Sequence, residues 1–386
     1  MKVAIDIRRA RDYGVGTYTR NLVATLARLD TQSQYLLVGR QEDWNELAPL
    51  PGNFSFLPFA TDTDGLRHDV RLGWLLERRR VPLLHTPYLA APWLLPCRHI
   101  ITVHDTAEFL DFPADGGPLI GALHVYRTRR ALHRACCILS VSEATRRDLQ
   151  RLFELPPEKI QVVYNALDAR LAQRPPAGEA ERTLSRYSVQ GPYLLYAGNV
   201  KPRKNIPRLI EAFAIVRNEL REHPQLKELK LIIIGDELSK HPQLRHAVVK
   251  SRTQHDVRFL GFLPPQALSV FYARAAAFVF PSLYEGFGLP PLEAMALGTP
   301  VVTSNTSALP EVLGDAAVYV NPENVFDISR GIRLALLDDK VRERLQQRGP
   351  EQVKRFSWEN SVRRVLEIYR SELEPRQTAE ARQPQG

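Results

Sequence analysis

The chain reads as an α/β protein of two doubly wound parallel-sheet domains, and three observations carry that reading. Short β-branched runs alternate with helical segments in both halves, the pattern of a parallel sheet covered by helices on both faces. The alternation lapses once, over a stretch rich in proline and charge, and then starts again. A length of 386 residues with 44% hydrophobic content is too much for one ordinary core and suits two.

In the first half, strands are expected at Lys2–Ile7, Tyr35–Val38, Leu83–His85, Ile100–Val103, Cys137–Ser140 and Gln161–Val163. The stretch Leu171–Gln190 carries RPPAG and no sustained apolar period, so it reads as a linker. Strands resume at Tyr193–Ala197, Lys230–Ile234, Val257–Leu260, Phe278–Phe280, Val301–Thr303 and Val318–Val320. The last pattern, Trp358 to Leu373, sets Val362, Val365, Leu366 and Tyr369 at helical spacing, ahead of a polar tail, QTAEARQPQG, read as disordered. The expected division is a first domain at 1–172, a linker at 173–190, a second domain at 191–356, a helix at about 357–374 packing back on the first domain, and a tail at 375–386. Ligands of such sheets bind outside the carboxyl ends of the strands, so the site is expected in the cleft between the two domains.

Composition narrows the partners. No stretch approaches the ~18 consecutive apolar residues of a membrane helix, and the start MKVAIDIRRARDYG puts charge where a signal core would be apolar. Cys97, Cys136 and Cys137 offer neither a disulfide framework nor metal-ligand spacing. A cytoplasmic location is therefore expected. The formal charge of +9 invites an anionic partner. Arginines gather in the helical stretches 67–80, 127–134 and 146–151, interleaved with Leu, Trp and Tyr. Two readings fit them: a basic amphipathic face for peripheral contact with an anionic membrane, or a solvated face whose arginine stems cover apolar surface. No nucleic-acid-binding signature accompanies them, so nucleic acid is not an expected partner.

Two segments carry chemistry. In YLLYAGNVKPRKNIPRLIEAF a strand ends at Gly198 and a helix follows a short basic loop, with Asn205 expected as its N-cap and Pro207 tolerated in its first turn. Arg203 and Lys204 then stand beside a helix amino terminus that already favours an anion. The alternative reading is a plain exposed basic loop. In FVFPSLYEGFGLPPLEAMALGTPVV, a strand leads through a glycine loop to a helix expected from about Pro291. Glu285 falls in the loop and Glu293 in the expected first turn, where it could serve as a ligand or simply cap the helix. Gly286 and Gly288 would let backbone N–H groups approach a ligand.

The text EGFGLPPLE, Glu285 to Glu293, resembles the signature of glycosyltransferase family four, retaining enzymes of the GT-B fold. GNVKPRKN resembles that family's phosphate-binding segment, and SALPEVLGDAA and FSWENSVRRVLEIYR resemble its downstream text. In the first half GVGTYTRNL, TVHD, SVSEATRRDL and VVYNALD match as well, so the resemblance covers essentially the whole chain. It implies two Rossmann-like domains, a nucleotide-diphosphate sugar as donor, a glycan or lipid-linked acceptor, and neither cofactor nor metal. By position it implies Arg203 and Lys204 on the donor diphosphate, approached from the other domain by Gly14, Gly16 and Thr17. Glu285 would hold hydroxyls of the transferred sugar, N–H groups of Phe287, Gly288 and Leu289 would hold sugar and phosphate oxygens, Glu293 the ribose, and His104 would face the sugar. Asn199 departs from the family, which often has arginine after the strand glycine, so which nitrogen meets which phosphate stays open. The GNVKPRKN loop resembles mannosyl-transferring members. A nucleotide-sugar 2-epimerase and a non-catalytic scaffold share the fold; Lys204, Glu285 and Glu293 favour transfer.

The remaining signals are bland. GVGTYT lacks the third glycine of a dinucleotide fingerprint, Asp62-Thr63-Asp64 reads as a turn, and His85 reads as a satisfied core or rim histidine.

Overall fold

The computed structural model describes residues 1–12, 14–59, 66–89, 95–110, 117–168, 170–171, 173–176, 178–236 and 241–374, the side chains of 66–68 and 117–120 excepted. The expected turn at 62–64 and the expected tail at 375–386 lie outside the described residues.

Two parallel sheets form two lobes. The first contains β1 (Lys2–Asp6), β2 (Gln34–Gly39), β3 (Phe54–Pro58), β4 (Leu83–Thr86), β5 (Arg98–Val103), β6 (Cys137–Ser140) and β7 (Ile160–Val162), in the order β3-β2-β1-β4-β5-β6-β7. The second contains β8 (Tyr193–Ala197), β9 (Lys230–Ile234), β10 (Val257–Phe259), β11 (Ala277–Phe280), β12 (Val301–Ser304) and β13 (Val318–Val320), in the order β10-β9-β8-β11-β12-β13. In both, the chain starts in the middle, builds outward on one side, then returns and builds on the other. The reversals lie between β1 and β4 and between β8 and β11, where loops diverge and leave a crevice. Both candidate segments therefore sit at one switch point, the first leaving β8 and the second leaving β11.

Strands such as KLIII in β9 are covered on both faces, which is why they read as continuous apolar runs. The sequence reading misses β3. It is an edge strand ending in Pro58, and proline flanks weaken a strand signal that an edge position tolerates. The expected linker is also partly ordered: Glu179–Arg186 is a helix packed against the helix Pro265–Arg274, and Leu184, Tyr187 and Val189 join the core of the second lobe. Its apolar stripe is too short to register as a period. The helix Trp358–Leu373 crosses back and buries Val362, Val365, Leu366 and Tyr369 against Val3, Ile5 and Leu22 of the first lobe. The core of the second lobe in turn takes in Val141, Ala144 and Leu167 from the first. Among the described residues no helix is long and apolar enough to cross a membrane.

Candidate active site

After β8 the chain makes a tight 3-10 turn, Pro202–Lys204, before the helix Ile206–Glu219. Asn205 stands at the N-cap as expected, but its side chain makes no cap bond. It adopts φ 59°, which turns its amide toward two loop carbonyls, Pro281 O at 3.0 Å and Pro322 O at 2.6 Å. Asn205 thus ties this loop to the one after β11. The tie carries Lys204 inward: it is buried, its ammonium lies 5.0 Å from the centre of the Phe280 ring, and desolvation lowers its pKa against the opposing pull of Glu285.

Glu285 meets both cations. Lys204 Nζ lies 2.5 Å from Glu285 Oε1, and Arg203 NH1 lies 3.5 Å from Oε2. Ser282 Oγ donates to Oε1 at 2.5 Å, and the Glu285 N–H donates to Ser307 Oγ at 3.0 Å. Arg203 also reaches out of its own lobe, to Asp105 Oδ2 at 3.3 Å. Two cations and two carboxylates balance, yet five guanidinium and three ammonium donors leave capacity for an anionic ligand.

The other carboxylate behaves differently. The helix begins at Leu289, not Pro291, because Gly288 at φ 108° turns the chain early and both prolines fit the first turn. Glu293 consequently falls in the second turn and does not cap it. Its Oε2 accepts from Tyr272 OH at 2.7 Å, and burial pushes its pKa up to about 7. The Phe287 side chain is core, edge-on to Phe356 at 5.4 Å. The Leu289 N–H, first in the helix, has no intrahelical partner.

From the first lobe, His104 follows β5, its Nε2 2.9 Å from Pro87 O and its ring edge-on to Tyr18 at 4.8 Å, with burial lowering its pKa. Its carbonyl abuts Gly286 so closely that a Cβ there would stand 1.8 Å from it. The missing side chain at Gly286 thus serves contact between lobes rather than approach of a ligand. Gly14 and Gly16 open the helix Val15–Leu29; a Cβ at Gly16 would stand 2.5 Å from Ala10 O, so Gly16 folds the loop onto itself. Thr17 Oγ1 accepts from Arg20 at 3.2 Å. Asn199 is exposed, and its carbonyl accepts from Tyr196 OH at 3.1 Å. The structure therefore gathers Arg203, Lys204 and Glu285 into one cluster and sets Glu293 apart against Tyr272. His85, by contrast, is buried with both ring nitrogens in hydrogen bonds, to Tyr369 OH and Thr102 Oγ1.

Sequence reasoning missed Asp105, Tyr284 and Glu311. Asp105 carried a signal as the neighbour of His104 at a strand end; the side chains of the other two find their partners across the cleft.

Two parallel-sheet lobes with a cation–carboxylate cluster at the switch point form an architecture of the GT-B type. The fold superposes on Anabaena HepE in complex with UDP-glucose with a TM-score of 0.76 over 96% of this chain and 100% of that one, at 15% identity. A glycosyltransferase from Rickettsia africae gives 0.75 over 97% and 98%, at 16% identity. Residues 13–171 match the model described as Glycosyltransferase Family 4, and residues 181–352 the model for Glycosyl transferases group 1. The chain is 35% identical over 322 residues to the O-antigen chain mannosyltransferase B of Escherichia coli, covering 81% of this chain and 80% of that protein. It is 31% identical to the serotype-specific mannosyltransferase WbdA of Escherichia coli over 66% of this chain, which spans 31% of that longer protein. The chain belongs to glycosyltransferase family four.

Proposed function

We propose that the protein is a hexosyltransferase of cell-envelope polysaccharide synthesis, moving mannose from a nucleotide-diphosphate sugar to a glycan or lipid-linked acceptor with retention. The observation that carries this reading is the convergence of Arg203, Lys204 and Glu285 at the switch point of the second sheet. Cleavage of a glycosyl–phosphate bond develops negative charge on the departing diphosphate. Arg203, Lys204 and the helix starts at Ile206 and Leu289 would stabilise it without a metal ion, a preorganised cradle in which one charged donor is commonly worth ~3 kcal/mol. In this reading Glu285 holds hydroxyls of the transferred sugar, Glu293 the ribose, and a donor phosphate oxygen takes the acceptor proton. The preference for mannose rests on the names of the relatives and on the GNVKPRKN loop.

Peripheral contact with an anionic membrane on the cytoplasmic side belongs to the same proposal. Val70 and Trp74 on the helix Leu66–Arg78 are 50% and 51% exposed, Tyr126 on the helix Gly117–Arg134 is 54% exposed, and Arg78 stacks over Trp74 at 4.6 Å. Basic residues flanking exposed aromatics suit a lipid headgroup layer.

Thermal-shift measurements against GDP-mannose, UDP-glucose and other nucleotide sugars test the donor; a shift from none of them overturns the reading. Donor incubated alone separates transfer from 2-epimerisation, since a transferase gives slow hydrolysis and an epimerase a new nucleotide sugar.

A further inference from the structure

Both chain neighbours of Glu285 are held by the opposite lobe. Tyr284 OH donates to Asp148 Oδ2 at 2.7 Å, and with its proton so committed it accepts from Thr106 Oγ1 at 2.8 Å. On the other side, the Gly286 carbonyl accepts from Ser142 Oγ at 2.7 Å and from Thr145 Oγ1 at 3.2 Å. Ser142 caps the helix Glu143–Phe153 of the first lobe, Thr145 lies in its first turn, and Asp148 stands at its middle, three residues on from Thr145 on the same face. The start of this helix is itself gripped from the second lobe, where Glu311 accepts the N–H of Glu143 at 2.7 Å and that of Ala144 at 3.0 Å. Helix-start N–H groups need partners, and here a carboxylate from across the cleft supplies them.

We propose that this helix, together with Thr106 after β5, positions Glu285 from across the cleft, with Thr106, Ser142, Thr145 and Asp148 as positioning residues and Glu311 as the clamp on the helix start. Inside its own lobe the Glu285 carboxylate is tied to Lys204 and Ser282 and its backbone to Ser307 and Ala308, while the Tyr284 hydroxyl and the Gly286 carbonyl on either side find their partners across the cleft. The bonds to the Tyr284 hydroxyl and the Gly286 carbonyl add to that hold, and they exist only while the lobes are docked. Arg203 is tied in part to the Tyr284 carbonyl and to Asp105, but the contact that Lys204 makes to a diphosphate does not depend on these bonds. The placement of a carboxylate against the transferred sugar does. Docking of the lobes therefore couples to the chemical step more than to donor capture.

The proposal rests on Glu285 acting on the donor sugar, and the test separates the two ideas. Tyr284→Phe, Asp148→Ala, their double variant and Asp148→Asn are compared with wild type for turnover of GDP-mannose and UDP-glucose. Hydrogen exchange of the segment 282–289 is followed in parallel. Misplacement of a reacting group by about 1 Å commonly costs about a hundredfold, so Tyr284→Phe and Asp148→Ala should each lower kcat by about 30- to 100-fold while donor KM moves less than about threefold. The double variant should be little worse than Tyr284→Phe alone, because both substitutions cut the Tyr284–Asp148 bond and Tyr284→Phe already loses the Thr106 contact besides. Asp148→Asn still offers an acceptor oxygen and should keep most of kcat. Unchanged kcat in both single variants, or a loss matched by faster exchange throughout both lobes, overturns the proposal. If wild type turns over neither donor, the donor reading fails and exchange alone decides: a rise confined to 282–289 supports the positioning role, and no rise overturns it.

Discussion

Lys204 Nζ lies 2.5 Å from Glu285 Oε1, and both side chains are more than nine-tenths buried. Removing one partner of such a pair strands the other charge and costs about 3–5 kcal/mol, whereas replacing both is far milder. Lys204→Ala and Glu285→Ala should each abolish most transfer, by on the order of a hundredfold or more, and each should lower the urea midpoint. The double variant Lys204→Met/Glu285→Gln should recover most of the stability and none of the activity. Full stability in both single variants would contradict the buried pair.

Gly286→Ala tests the docking of the lobes. The new Cβ would stand 1.8 Å from His104 O and 2.8 Å from Asp105 Cβ, both backbone or near-backbone atoms that cannot step aside. The lobes should separate, seen as a larger radius of gyration in X-ray scattering, and kcat should fall while each lobe stays folded. An unchanged scattering profile would count against the close approach.

Glu293 sets a pH dependence. Its carboxyl is pushed by burial from 4.5 to about 7, so the folded state holds a proton that the unfolded state releases. Its contribution is full below about pH 4.5, declines as pH rises, and is lost above about 7. Urea midpoints of wild type relative to Glu293→Gln should therefore fall across that window, and a constant difference would refute the raised value.

Turnover should survive EDTA. If Arg203, Lys204 and the helix starts carry the leaving-group charge, chelation leaves kcat within about twofold. Loss of activity restored by manganese would place the charge on a metal instead.

Much of the fold was legible because buried parallel strands announce themselves as apolar runs: β8, β9 and β13 agree residue for residue with their sequence readings. The edge strand β3 and the short helix Glu179–Arg186 were not, since each buries too little to leave a periodic trace. At the site, Arg203, Lys204 and Glu285 stood out for their charge beside a helix start or glycine loop. Tyr284 and Glu311 did not, because their partners Thr106 and Glu143 lie 178 and 168 positions away.

By itself the amino-acid sequence determined where strands and helices form, that two sheets of one kind follow each other, and which charged loops leave β8 and β11. These are local matters of periodicity, turn chemistry and glycine placement. Only the tertiary structure decided that Glu285 closes on Lys204, that Glu293 turns away to Tyr272, and that Gly286 is bare for the sake of His104. The first two depend on how elements of the second lobe pack on one another and the third on how far the two lobes approach, and each is set by surfaces remote in the chain.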